Sequence, residues 1–218
     1  MGALLDEALL LRLATAGLPS HPRRALMLAG AGGIPAADTL ALGLRDAALM
    51  RLRTGWFGAD CPCLDACPTC TQTVEFEVPL STLAGVVSES LAKNGWRPLT
   101  TLDLLAVEGL AAPLARRALA EAVTGGPVDD AALPVVEDWL TRADPLAHVV
   151  LDLTCAHCDA DWARPFDIVR QIWAEIALAG RQLLNEIHLL ARVYHWSEAE
   201  ILAVPRPRRL AYLEMIAP

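Results

Sequence analysis

The sequence predicts a mainly α-helical protein with a small β element, a zinc ribbon (α+β), whose two halves are separated by a helical insert. Three observations predict it. Residue usage is rich in Ala and Leu with only 5% aromatic residues, which favours helices over stacked sheets. Apolar residues recur at helical spacing through most of the chain. Two Cys-x-x-Cys pairs, Cys67/Cys70 and Cys155/Cys158, each stand beside a strand-like run. With 218 residues, 54% of them hydrophobic, the chain can bury a core as one large domain or two small ones.

The elements follow in order. Leu4, Leu5, Ala8, Leu9 and Leu11 form a helical stripe that ends by Gly17-Leu18-Pro19, and His21-Pro22 opens a second helix through Leu28. Ala29 to Ala37 reads as a Gly- and Pro-containing loop. From Gly43 to Phe57, Leu44, Ala47, Ala48, Leu49 and Leu52 repeat at helical spacing, with Arg45, Asp46, Arg51 and Arg53 expected on a solvated side. After the first cysteine pair, Thr73 to Val78 alternates with period two and predicts a strand. Helices are then expected over Leu80 to Ala92, from a Thr101 cap through Leu104 and Leu105, over Ala111 to Val123, and over Asp130 to Thr141. His148 to Thr154 and Asp161 to Arg164 predict two strands around the second cysteine pair, so the two knuckles form a degenerate internal pair.

Beyond Pro165 the prediction is helical to the end. Ile168, Val169, Ile172, Trp173 and Ile176 line one helix, Gly180 permits a break, and Leu183 to Tyr194 line the next. Ser197-Glu-Ala-Glu200 is a capping box, and Pro207 suits the first turn of a last helix through Leu210, Leu213 and Ile216. The regions expected are therefore an N-terminal helical region (1–58), a split zinc ribbon (59–80 and 147–166), a helical insert (81–146) and a C-terminal helical region (167–218).

A formal net charge of -8 with a pI near 5.1 argues against nucleic acid as a partner, since a phosphate backbone would be repelled. Charged residues interrupt every apolar stretch before it reaches spanning length, and Asp6 and Glu7 fall where a secretory signal needs its apolar run. A cytoplasmic protein without membrane insertion is expected. In that compartment thiols stay reduced, so Cys-x-x-Cys pairs read as metal ligands before disulfides.

A Cys-x-x-Cys turn places two thiolates close enough to share a zinc–sulfur bond length of about 2.3 Å, and two such turns complete a tetrahedron. The expectation is one structural zinc ion held by Cys67, Cys70, Cys155 and Cys158, with positions 71–154 folding between the halves and the strands of the two halves free to pair with each other. Two other readings stay open: buried or oxidised cysteines, and a dithiol redox site at Cys67-Pro-Thr-Cys70. The second needs a helix after the thiol, where a strand is predicted. Cys61 and Cys63 read as spare thiols. The five histidines offer no acid–base set, no phosphate-binding glycine loop occurs, and a closed four-thiolate site has no room for an activated water. A non-enzymatic protein with no small-molecule substrate is expected.

The stretch Leu184-Asn-Glu-Ile-His-Leu-Leu-Ala-Arg-Val-Tyr-His-Trp-Ser-Glu-Ala-Glu-Ile-Leu-Ala-Val-Pro205, followed by Arg208-Arg-Leu-Ala-Tyr-Leu-Glu214, resembles the T-even-type phage baseplate hub assembly protein family. The resemblance extends to Leu42 to Asp46 with Leu49 to Phe57, to Cys67-Pro-x-Cys70 before Val74-Glu-Phe76, and to Cys155-x-x-Cys158 with Trp162 and Phe166-Asp167. A departure is that the glycine often following such a knuckle is Thr71 in one place and Asp159 in the other. The resemblance implies an assembly chaperone or minor structural component of a phage-like contractile tail or injection-system baseplate, with hub and spike proteins as partners. The alternative is a zinc-ribbon adaptor of transcription or nucleic-acid machinery, against which the net charge speaks. Within Leu183 to Ile216, Trp196 and Tyr212 read as aromatic anchors, and Arg206, Arg208 and Arg209 as a basic cluster for an acidic partner. The plainer reading puts the aromatics in the core and the arginines in solvent.

Overall fold

A computed structural model of the chain describes residues 4–17, 20–86 and 95–216. In chain order the elements are α1 (Glu7–Ala14), α2 (His21–Ala31), α3 (Leu42–Phe57), β1 (Pro62–Ala66), β2 (Thr73–Glu77), α4 (Leu80–Leu83), α5 (Thr101–Ala106), α6 (Ala112–Thr124), α7 (Leu133–Ala143), β3 (Val149–Thr154), β4 (Asp161–Phe166), α8 (Ile168–Tyr194), α9 (Glu198–Ala203) and α10 (Arg206–Ile216). The fold is mainly α with two small antiparallel sheets. No described helix is long and apolar enough to cross a membrane. The end of the helix expected over Leu80 to Ala92 lies outside the described residues, and α4 covers only its first turn.

The chain divides into two compact units. The first contains Leu4 and residues 20–170, which include α2, α3, both hairpins and the insert. Its helix α3 corrects the expected wet face: Arg45 and Arg53 are each 2% exposed, whereas Leu44 is 54% exposed. The reason is that both guanidinium groups find hydrogen-bond partners. Arg45 donates from Nη1 to Thr101 Oγ1 (3.0 Å) and from Nε to Asp46 Oδ1 (2.8 Å). Arg53 donates to the carbonyls of Gly58 and Asp60, 2.9 and 2.5 Å away, just beyond the end of α3. Buried charge is tolerated when it is paired and hydrogen-bonded in this way. Burial pushes the Asp46 carboxyl up to about 6, against the opposing pull of Arg45. Gly43 has to be glycine: its amide donates to Asp144 Oδ2 at 2.9 Å, and a Cβ there would stand 2.0 Å from Asp144 Oδ1.

In the insert, Thr100 rather than Thr101 caps α5. Its hydroxyl accepts from the Asp103 amide, and the Asp103 carboxylate accepts from the Thr100 amide at 2.8 Å. Thr101 is displaced from that role because its hydroxyl is committed to Arg45 and the Ala37 carbonyl. Arg97 grips Asp103 through two contacts of 2.7 Å, and these hydrogen bonds hold the carboxyl down at about 2. Helices α6 and α7 close on Ala120, Val123, Val128, Leu133 and Val136, with Trp96 edge-on to Trp139 at 5.6 Å.

The second unit comprises residues 5–17 and 171–216. Helix α8 continues through Gly180 without the expected break. The glycine serves close approach instead: a Cβ at this position would lie 2.3 Å from the Ala14 Cβ of α1. The core here is Leu183, Ile187, Leu190 and Ile201, covered by Leu10, Leu11, Tyr194, Trp196, Leu202, Tyr212 and Leu213. His195 leaves the helix with φ of 58°, and Ser197 and Glu200 form the expected capping box of α9.

Candidate metal centre

The site rests on two hairpins of the first unit. β1 pairs with β2, closing at Ala66↔Thr73, and β3 pairs with β4, closing at Thr154↔Asp161. Each hairpin is its own two-stranded sheet, so the strands of the two halves, free to pair with each other on the sequence reading, pair within their own hairpin. The cause is local: the six residues between each closing pair form a turn tight enough for each strand to meet its own return strand. β1 went unread because Pro62, Cys63 and Leu64 do not alternate in polarity.

The two turns repeat one another bond for bond. The Cys67 amide donates to the Gln72 carbonyl and the Thr71 amide to the Cys67 carbonyl, both at 2.9 Å. Cys155 pairs with Ala160, and Asp159 with Cys155, in the same way and at the same distance. Directly after the second cysteine the backbone turns left-handed, at φ of 62° for Thr71 and 55° for Asp159. These are the positions where a glycine was missed in the sequence, so the knuckle geometry is kept despite the side chains.

The four sulfurs of Cys67, Cys70, Cys155 and Cys158 all lie within 4.8 Å of one another. Across the hairpins, Cys67 to Cys158 is 3.7 Å and Cys70 to Cys155 is 3.6 Å. Four sulfurs bound to one ion at about 2.3 Å would form a tetrahedron with edges of about 3.8 Å, so the donor set fits such an ion. None of the six cysteines is in a disulfide. Cys67 and Cys155 are buried, and Cys158 faces solvent.

Electrostatics follow from the crowding. The amides of Cys70 and Thr69 and the neighbouring thiols lower Cys67 to about 6 against the effect of burial. The Ala160 amide favours a thiolate at Cys158, but the other thiols and burial outweigh it and push that thiol up to about 12. Cys70 is raised as well, although the Gln72 amide pulls the other way. Without a cation, four negative charges cannot share this space; with one, the remaining protons leave.

Sequence reasoning missed Asp65. From β1 its Oδ2 accepts from Trp162 Nε1 of the other hairpin at 3.1 Å and lies 3.5 Å from Arg164 Nε, joining the hairpins beside the sulfurs. No local pattern marks it, because its partners are a hundred or so positions away. Cys61 and Cys63 stay outside the sulfur cluster: the Cys61 carbonyl accepts from the Val78 amide at 3.1 Å, and Cys63 stands opposite Phe76 in the ladder.

The other predicted residues lie in the second unit. Tyr194 stacks on Trp196 at 4.9 Å, and Tyr212 meets Trp196 edge-on at 5.2 Å, so these aromatics cover the core. Arg208 is exposed, lies over the Tyr212 ring and donates to its hydroxyl at 3.1 Å. Arg206 is exposed, 3.8 Å from Glu186. Arg209, by contrast, is only 1% exposed and donates to Glu7 through Nη1 and Nη2. The basic cluster is thus two surface arginines and one interior one.

No protein-family model, curated protein or solved structure matches the chain.

Proposed function

We propose that the chain is a non-enzymatic assembly chaperone or minor structural component of a phage-like contractile-tail or injection-system baseplate, acting on hub or spike proteins and stabilised by one structural zinc ion. The observation that carries this reading is the resemblance of Leu184 to Glu214 to the baseplate hub assembly family. Its residues Leu190, Tyr194, Trp196, Ile201, Leu202 and Tyr212 form the core and cover of the second unit. Zinc is the ion of choice because four thiolates at tetrahedral spacing suit a soft, redox-inert cation. Four protein ligands close its coordination sphere, which makes the ion a clamp for two hairpins rather than a reaction centre.

Two measurements test the reading. Co-expression with candidate hub and spike proteins should give a stable complex, and particles made without the chain should lack completed baseplates in electron micrographs. Normal particles without it would sink the assembly role, and recovery of the chain with RNA polymerase or nucleic acid instead would favour the adaptor. Metal analysis of the purified protein should find one zinc per chain.

A further inference from the structure

Helices α8 and α10 of the second unit leave an apolar groove of about 500 Å³ between them, floored and walled by Leu189, Leu210, Leu213 and Ile216. Glu186 and Glu214 stand in its lining, and no lysine or arginine does. Val193 and Met215, on the same two helices, are 50% and 73% exposed. From this groove we infer a docking site for a basic amphipathic helix, a proposal that does not rest on the baseplate reading although its residues fall in the same stretch of chain.

Three features define the occupant. Both walls are helices whose backbone groups bond within themselves, so no strand edge is offered, and an entering segment must satisfy its own backbone as a helix does. Leucine and isoleucine side chains from both helices line it, which suits the i, i+3/i+4, i+7 apolar face of an entering helix. Glu186 is largely buried and already ion-paired, 3.8 Å from both Arg206 and Arg209. Glu214 is exposed and has no ion pair among the described residues. A lysine or arginine beside the apolar residues would pair with Glu214, and the chain's net charge of -8 would steer such a partner in.

The probe is a fluorescein-labelled Leu/Lys peptide of roughly 18 residues, long enough to hold a helix, with leucines at i, i+3, i+4 and i+7. Fluorescence anisotropy with the full chain should show saturable binding, while a Leu/Glu version and a scrambled Leu/Lys peptide of equal composition should bind about tenfold more weakly or not at all. Leu210→Glu should weaken the Leu/Lys peptide about tenfold at any salt concentration. Glu214→Lys should weaken it at low salt, lose that effect as salt rises, and improve the Leu/Glu peptide. Both side chains are exposed, and melting curves check that both variants fold. Equal binding of the scrambled peptide, or full binding by either folded variant at low salt, overturns the proposal. So does sedimentation showing a dimer that Leu210→Glu dissociates, because the groove would then be filled by a second copy.

Discussion

At the scale of residues, the four clustered sulfurs divide labour with the two that stand apart. Cys67→Ser or Cys155→Ser should abolish zinc binding and lower the melting temperature by at least about 10 °C, because metal-binding energy becomes folding energy in such sites. Cys61→Ser should keep the metal, as its position is outside the sulfur cluster. Metal analysis beside thermal melts reads both, and zinc loss from Cys61→Ser would refute the ligand set. Thr71 gives a second test. A β-branched residue at φ of 62° is strained where glycine is not. Thr71→Gly should therefore stabilise the loaded protein by about 0.5–1 kcal/mol after glycine's own entropy cost. Asp159→Gly should gain less, since aspartate tolerates that conformation better. Urea midpoints compare them. The cysteines were legible because their spacing is local and their chemistry narrow. Arg45 and Arg209 were not: what draws them inside is Thr101 in one case and Glu7 in the other, and helical periodicity carries no trace of either.

At the scale of elements, the capping box of α5 offers a pH-dependent test. Asp103 has its carboxyl held at about 2, below its ordinary 3.8, chiefly by Arg97. A lowered folded-state value means stability that is present above about 4 and is lost as the pH falls through about 2. Asp103→Asn should cost about 1–2 kcal/mol at pH 7, a figure discounted because Arg97 is half exposed. The two unfolding curves should draw together as the pH falls below 4; a constant gap down to pH 2 would deny Asp103 that role. Caps and strands with strong local signals were readable, as the Ser197 box and β2, β3 and β4 show. β1 and the uninterrupted α8 were not, because the hairpin partner of one and the Ala14 contact of the other lie elsewhere in the chain.

At the scale of the whole molecule, the sulfur cluster belongs to one of two units, which localises the effect of losing the metal. Hydrogen exchange after treatment with a strong zinc chelator should accelerate in 61–78 and 149–166, while the amides of α9 and α10 keep their protection. Uniform loss of protection across both units would show that the metal holds the entire chain. The α+β class and the helical insert were readable from composition and spacing, whereas the grouping of α3 with the insert depends on buried contacts such as those of Arg45 with Thr101 and Gly43 with Asp144.

The division of the sulfurs between two distant hairpins has a consequence for synthesis on the ribosome. Cys70 and its cross-hairpin neighbour Cys155 are 85 positions apart, so at about 5–20 residues per second the first knuckle waits roughly 4–17 seconds for its complement. Through that interval it is a two-thiol half-site, able to hold an ion only loosely and open to oxidants. Ribosome-arrested chains should show this as a step: those stopped before Cys155 emerges should lose zinc readily to a weak chelator, and those with Cys158 exposed should retain it. Retention by the shorter chains would mean that the first knuckle borrows ligands, with Cys61 and Cys63 the nearest thiols in sequence.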